Sequence, residues 1–232
     1  MIIASFQKFT LLDYPGKIAA TVFTVGCNFR CSFCHNPELV LGSQFAVHGN
    51  NNEKDFFKFL ESRKGKLDAV CITGGEPTLQ RDLLEFIVKV KKMGYLVKLD
   101  TNGMRPDVLK KALDLKVVDY VAMDIKNSLK NYEKTVCAKV DLDRIKMSVE
   151  MIKNSKVDYD FRTTVVPGIH SEKDFDDIAL WIGGAKKYFL QRFRDIKTLD
   201  ISLKDRIKGK KIDLEKIQKK LKKHFGEVGI RN

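Results

Sequence analysis

The sequence predicts an α/β fold built on a parallel sheet. Short apolar segments typical of buried strands alternate about six times with segments whose apolar residues recur at helical spacing, and the links are short. Alternation of this kind places successive strands parallel in one sheet covered by helices. Glycines and polar residues follow the ends of successive strands. In parallel sheets that edge binds ligands, so the pattern also indicates where a site lies.

Six strands are predicted from runs rich in β-branched, aromatic and other apolar residues, several of them ending at a glycine, a proline or a polar turn. They cover Ile18–Val25, Leu67–Thr73, Tyr95–Leu99, Val117–Ile125, Tyr159–Val166 and Lys187–Phe193.

Helices are predicted between these strands from apolar residues spaced three or four apart. Gly94 stops the helix after the second predicted strand, and Pro106 opens the next one, because proline suits a first helical turn. Ser171 and Asp174 resemble a helix cap. Other helical segments are predicted at Asp55–Leu60, Ile145–Ile152 and Leu214–Phe225.

The chain is predicted to form one domain over residues 1–232, with a core at about 18–193 and a basic extension with a helix at 194–232. A length of 232 residues and a hydrophobic fraction of 44% suit one substantial core. Of the net charge of +13, Lys204 to Lys223 hold ten Lys/Arg against three Asp/Glu. That stretch is either a solvated helix face or a docking face for an acidic partner or nucleic acid. Its few arginines and lack of interleaved aromatics make nucleic acid the weaker case.

A cytoplasmic, soluble protein with no membrane partner is expected. No apolar run approaches the ~20 residues that span a bilayer, and the first residues lack the features of a signal peptide. An odd count of five cysteines in such a protein argues against a disulfide framework.

Three of the five cysteines, Cys27, Cys31 and Cys34, fall within eight residues. Cysteine thiolates hold iron–sulfur clusters, and full ligation takes four. Three close thiolates therefore predict a cluster with one iron open for a substrate to chelate. Structural zinc with His35 as the fourth ligand is a competing interpretation, although zinc sites usually add a second, distant pair of ligands. A non-enzymatic metal or electron-transfer module is another.

The segment Gly74, Gly75, Glu76 and Pro77 ends the second predicted strand. Two glycines allow close approach of a ligand to the backbone, and the carboxylate can pair with an ammonium group. The alternative is a simple turn.

Two further strand ends carry candidate polar residues. Asp100, Thr101 and Asn102 can exchange hydrogen bonds with hydroxyl and carboxylate groups, or can form an Asx-type turn. Asp124 and Lys126, two residues apart on a strand, point the same way and can face one ligand or form an ion pair with each other.

The residues from Cys27 to Cys34 read CNFRCSFC, which resembles the CxxxCxxC signature of the radical SAM superfamily, with the aromatic Phe33 before the last cysteine. His35 and Asn36 resemble the activating enzymes of glycyl-radical proteins. The lead-in TLLDYPGK at Thr10–Lys17 resembles the short, single-cluster activating proteins of anaerobic ribonucleoside-triphosphate reductase.

This resemblance implies a partial (β/α)6 TIM-like barrel with parallel strands. It implies a [4Fe–4S] cluster on the three cysteines and S-adenosylmethionine (SAM) as the second cofactor. The methionine amino group would lie at Gly74–Pro77, and the ribose and carboxylate near Asp100–Asn102. Asp124 and Lys126 match the family's D-x-K pattern, and the strand that contains Thr164 would meet the adenine. A monovalent cation near Asp100 and Asp124 is also implied.

The function implied is reductive cleavage of SAM to a 5′-deoxyadenosyl radical that generates a glycyl radical on a partner. Anaerobic ribonucleotide reductase is the expected partner, and an acidic flavodoxin or ferredoxin the expected electron donor. The alternatives are activation of another glycyl-radical enzyme, such as pyruvate formate-lyase, and radical chemistry on a small molecule or RNA.

Overall fold

Eight strands form a single sheet in the computed structural model of the chain, which describes residues 1–41 and 53–231. Their order in the sheet follows the sequence. The first strand is antiparallel to the second, and all later neighbours are parallel. The strands are β1 (Ile3–Thr10), β2 (Ala19–Thr24), β3 (Ala69–Gly74), β4 (Leu96–Thr101), β5 (Tyr120–Asp124), β6 (Asp158–Val165), β7 (Lys187–Arg192) and β8 (Glu227–Arg231).

Helices connect the parallel strands, as the sequence predicts. They are α1 (Pro37–Leu41), α2 (Glu53–Glu61), α3 (Leu83–Lys92), α4 (Pro106–Asp114), α5 (Tyr132–Val136), α6 (Leu142–Asn154), α7 (Glu172–Ile182), α8 (Leu203–Ile207) and α9 (Leu214–Leu221). Short 3₁₀ turns lie at Pro77–Leu79 and Leu129–Asn131. Among the described residues, no helix is both long and apolar enough to cross a bilayer.

Local sequence explains where several helices begin. Ser171 and Asp174 form the predicted capping box of α7, and Asp174 also accepts hydrogen bonds from Ser128 and Asn131, each at 2.7 Å. Pro106 opens α4 as predicted. Caps of this kind satisfy backbone N–H groups that the first helical turn leaves free.

The predicted partial TIM-like barrel with parallel strands is confirmed, and β2–β7 are its six predicted strands. β1 and β8 extend this sheet beyond the predicted core limits of 18 and 193. β1 was missed because half of its residues are exposed, as on an edge strand, and β8 was missed because five residues with a central glycine give no apolar run.

The lower interior of the barrel is filled by side chains. Tyr14 from the lead-in packs on Tyr120 with 5.6 Å between ring centroids, and Tyr120 donates a hydrogen bond of 2.8 Å to Asp160. Arg231 on β8 donates to the same carboxylate at 3.1 Å. The lead-in and β8 therefore close the floor, at the opposite end of the strands from the polar strand ends.

Candidate active site

A cavity of about 220 Å³ lies at the carboxyl ends of the parallel strands. Its lining includes every residue that the sequence predicts for the site. These are Cys27, Cys31, Phe33, Cys34, Gly74, Gly75, Glu76, Pro77, Asp100, Thr101, Asn102, Asp124, Lys126 and Thr164. Sequentially distant strand ends therefore meet around one space.

Six further lining residues were not predicted as site residues: Phe29, His35, Asn36, Val40, Thr73 and Arg162. Arg162 could have been found from the sequence, because it lies two residues before Thr164 on one strand and so faces the same side.

The cysteine loop follows β2 and presents three reduced thiols to the cavity. The N–H of Phe29 donates to the sulfur of Cys27 at 3.4 Å, and the N–H of Cys34 donates to the carbonyl of Cys31 at 3.0 Å. Burial raises the pKa of Cys27 to about 11 and that of Cys31 to about 12. Metal or cluster binding would hold such buried thiols as thiolates.

These residues fit a [4Fe–4S] cluster. They provide three sulfur ligands on one compact loop, a backbone N–H directed at a sulfur, and the nearby cation of Lys126, whose charge lowers the pKa of all three thiols against the larger effect of burial. Hydrogen bonds and charges of this kind tune bound clusters. Within the described residues, no three His, Cys, Asp or Glu side chains converge as they would around a single metal ion.

Gly74 and Gly75 bring the loop after β3 against the loop after β2. Gly74 has a φ of +117°, and a Cβ there would lie 2.3 Å from the backbone nitrogen of Thr24. A Cβ on Gly75 would lie 2.1 Å from the carbonyl oxygen of Gly26, next to Cys27. The two glycines therefore allow the loop that is predicted to bind the methionine end of SAM to pack closely against the cysteine loop. They also leave its backbone open to a ligand.

Glu76 connects the loop after β3 to the loop after β4. The side chain is 1% exposed. Its carboxylate accepts hydrogen bonds from the hydroxyl of Thr101 at 2.8 Å, the N–H of Asn102 at 2.6 Å, and both the N–H and the hydroxyl of Thr78. Burial raises the pKa of Glu76, and these four bonds counteract the rise. An ammonium group that paired with this carboxylate, as the sequence suggested, would compete with four existing donors.

Asn102 extends this connection to the cysteine loop. Its side-chain amide donates to the side-chain oxygen of Asn28 at 2.8 Å, and its own oxygen accepts from the N–H of Met104 at 3.1 Å. The second contact is the Asx-type turn that the sequence offered as an alternative. Both interpretations of Asn102 hold together, since the residue forms the turn and lines the cavity.

Arg162 lies between the two predicted aspartates. Its guanidinium donates to Asp100 at 2.9 Å and to Asp124 at 2.6 Å. Lys126 donates to the other oxygen of Asp124 at 2.8 Å, and Lys98 pairs with Asp100. Burial opposes ionisation of both carboxylates, but Arg162 and Lys98 lower the pKa of Asp100 below its ordinary value, and Arg162 and Lys126 lower that of Asp124. The implied monovalent cation stays a prediction, and it would share these oxygens with Arg162.

His170 is 5% exposed and lies beside the site. Its Nδ1 accepts from the N–H of Val166 at 3.0 Å, and its Nε2 donates to the carbonyl of Lys126 at 2.8 Å. The ring also packs edge-on against Phe33 at 6.3 Å. Burial lowers its pKa, and this outweighs the hydrogen bonds with the backbone of Lys126 and Val166 and the charge of Asp174, which raise it. His170 is therefore a neutral link that fixes the loop after β5 against the loop after β6.

The sequence profile of the Radical SAM superfamily matches residues 21–182. The chain belongs to the radical SAM superfamily. A protein of Methanocaldococcus jannaschii, provisionally named a glycyl-radical enzyme activating enzyme, is 32% identical over 237 residues, which cover 99% of this chain and 95% of that protein. Pyruvate formate-lyase-activating enzyme of Listeria monocytogenes is 33% identical over 130 residues, which cover 53% of this chain and 52% of that enzyme.

Solved structures share the fold of this radical SAM enzyme at low sequence identity. The crystal structure of Streptococcus suis SuiB matches with a TM-score of 0.63 at 15% identity, over 90% of this chain and 47% of SuiB. The superfamily uses a [4Fe–4S] cluster and SAM, and the cysteines and strand ends that the sequence predicts for them line the cavity.

Proposed function

We propose that this radical SAM enzyme activates a glycyl-radical enzyme, and that its target is anaerobic ribonucleoside-triphosphate reductase. The observation that carries the proposal is the similarity to the M. jannaschii protein, because it extends over 99% of this chain and 95% of the relative. A match of that extent includes the parts outside the shared radical SAM core.

The residues of the chain have distinct tasks in this function. Cys27, Cys31 and Cys34 would hold the cluster, which would supply the single electron for reductive cleavage of SAM to methionine and a 5′-deoxyadenosyl radical. Gly74 and Gly75 leave the backbone accessible to the methionine end. Arg162 fixes Asp100 and Asp124 in one orientation, so that ligand groups meet preset partners.

The choice of reductase rests on the lead-in, whose position limits what it can do. Tyr14 is buried at the barrel floor, and Asp13 accepts a hydrogen bond from Thr21 at 2.5 Å. These residues lie at the far end of the strands from the cavity, so they would not contact the glycine of the partner. What they contribute to the proposal is their sequence resemblance to activators of the reductase. Pyruvate formate-lyase is the second candidate, because an activating enzyme for it aligns over 130 residues.

The test is anaerobic reconstitution, followed by SAM cleavage and electron paramagnetic resonance with each purified candidate partner. About four irons per chain are expected, as a cubane requires. A glycyl radical on the reductase supports the proposal, and a radical on pyruvate formate-lyase alone supports the second candidate. SAM cleavage with no radical on either partner would point to a small molecule or RNA substrate. Absence of both iron and cleavage would refute radical SAM chemistry.

Matched cysteine variants make the iron measurement specific. Cys34→Ala removes a thiol that lines the cavity, and cluster content is expected to collapse. Cys137→Ala removes an exposed thiol outside the cavity lining, and cluster content is expected to match the parent.

A further inference from the structure

The segment after β7 lies directly on the cysteine loop. The N–H of Leu199 donates to the carbonyl of Cys34 and the N–H of Asp200 donates to the carbonyl of Ser32, each at 3.0 Å. His35 donates to the carbonyl of Arg194 at 2.8 Å. Residues 193–201 are called the cluster-side strap below. None of them is among the described residues that line the cavity, although Phe193 stacks on the ring of His35, which does line it.

The strap exposes two isoleucines among charged side chains, and basic residues there and in α8 outnumber the exposed acidic residues Asp195 and Asp205. Ile196 is 81% exposed and Ile201 is 91% exposed. Arg194, Lys204 and Lys208 are exposed and make no ion pair with any residue that the structure describes. Apolar centres with charged rims are typical of protein interfaces, and two isoleucines this exposed are costly to leave in water.

The basic C-terminal stretch is divided by the fold. Lys204 and Lys208 follow the strap at the cluster end. Lys222 and Lys223 lie at the other end of the barrel, because the next residue, His224, accepts a hydrogen bond of 2.8 Å from Gly184 just before β7 begins. Only the first part of this stretch therefore adjoins the cysteine loop.

We propose that the cluster-side strap is the docking surface for an acidic one-electron carrier protein. This rests on the proposed function, which needs one electron delivered to the cluster for each SAM cleaved, with the carrier oxidised by one electron. Electron transfer requires a short path, and the strap joins the surface to the Cys34 backbone through one hydrogen bond. The cavity face is taken by SAM and the substrate, so the strap face is free for the carrier.

Charge and size both suit this occupant. An acidic carrier is attracted to the unpaired basic residues of the rim, and such attraction raises the association rate. Complexes that transfer electrons have small interfaces. A surface with two exposed isoleucines and a rim of basic residues is therefore large enough for such a partner.

The test compares two charge-reversal variants with the same change in net charge. The cluster-side variant is Arg194→Glu, Lys204→Glu and Lys208→Glu. The control is Lys219→Glu, Lys222→Glu and Lys223→Glu, three exposed lysines at the far end with no ion pair among the described residues. Binding of a purified acidic flavodoxin to the reconstituted enzyme is measured by calorimetry at low and high salt. SAM cleavage is driven by reduced flavodoxin and, in parallel, by dithionite.

The cluster-side variant is expected to bind flavodoxin about tenfold more weakly at low salt, with less than a threefold effect in the control. The difference should shrink at high salt, where the Debye length falls below about 8 Å. Flavodoxin-driven cleavage should fall with binding, while dithionite-driven cleavage stays at the parent rate. Equal binding by both variants and the parent would overturn the proposal, as would equal losses in both.

A second variant, Ile196→Ser with Ile201→Ser, keeps the net charge. It tests the docking surface independently if the charge reversals disturb the cysteine loop. Weaker flavodoxin binding with unchanged dithionite-driven cleavage supports the strap, and unchanged binding refutes it. If the parent itself fails to cleave SAM with dithionite, the proposed function fails instead of the docking surface.

Discussion

Replacement of Glu76 by glutamine tests whether this carboxylate holds two loops together or binds the ligand. Glutamine has nearly the same shape, but its amide nitrogen cannot accept a hydrogen bond. The new amide nitrogen is best placed where Oε2 now faces the N–H of Asn102, because Oε1 accepts from two hydroxyls and an N–H. The N–H of Asn102 then loses its acceptor in a buried site.

The expected cost follows from this geometry. One charge-assisted bond is lost and its donor is left unsatisfied, at about 2–3 kcal/mol, and three bonds to a charged acceptor become neutral, at roughly 0.5 kcal/mol each. The sum of about 4 kcal/mol is a large share of typical domain stability. For a chain of this length it lowers the melting temperature by roughly 10 °C.

The assay is thermal unfolding of the cluster-free protein, with SAM affinity of the reconstituted protein measured separately. Glu76→Asp is the control, because it keeps the charge but shortens the reach, and it should lose less stability than Glu76→Gln. A stability change below about 0.5 kcal/mol for Glu76→Gln would refute the loop-connecting role. Loss of SAM affinity at parental stability would instead show direct contact with the methionine amino group.

Three further perturbations have defined outcomes. Gly75→Val places a side chain against the Gly26 carbonyl, 2.1 Å from the new Cβ, so iron content and SAM binding should fall together; normal iron with weak SAM binding would contradict this. Arg162→Met leaves two partly buried aspartates, each paired with one lysine, and should cost about 3 kcal/mol in urea unfolding; an unchanged stability would show that the two lysines alone are sufficient partners. His170 has a lowered pKa in the folded state, so it stabilises the fold above its ordinary pKa of about 6.5 and that contribution is lost as pH falls. The drop in melting temperature from pH 7.5 to 5.5 should be smaller in His170→Gln, and an equal drop would exclude the histidine as its cause.

The sequence could predict the parallel sheet and the position of the site because both depend on local patterns. Buried parallel strands such as β3 are continuous apolar runs, and the residue that follows each strand has a fixed place at the sheet edge. The motif residues on different strands could therefore be assigned to one cavity before their distances were known.

What the sequence could not predict depends on contacts between distant residues. Nothing local distinguishes Glu76 as the acceptor for a loop 26 residues away, or His170 as a partner for the Lys126 carbonyl. Strand β8 has too few apolar residues to be recognised, and its place is set by pairing with β7 and by the contact of Arg231 with Asp160. In each case the missing information is which polar groups satisfy one another after folding.

The cluster-side strap also has a consequence for the order in which the protein matures. The cysteine loop is synthesised early, whereas Leu199 and Asp200, which cover its Cys34 and Ser32 carbonyls, follow more than 160 residues later. Until that segment leaves the ribosome, the loop lacks the hydrogen bonds that fix its outer side. We therefore expect the cysteine loop, whose three thiols line the cavity, to reach its final arrangement only after this segment has emerged, so that cluster loading follows release of the segment.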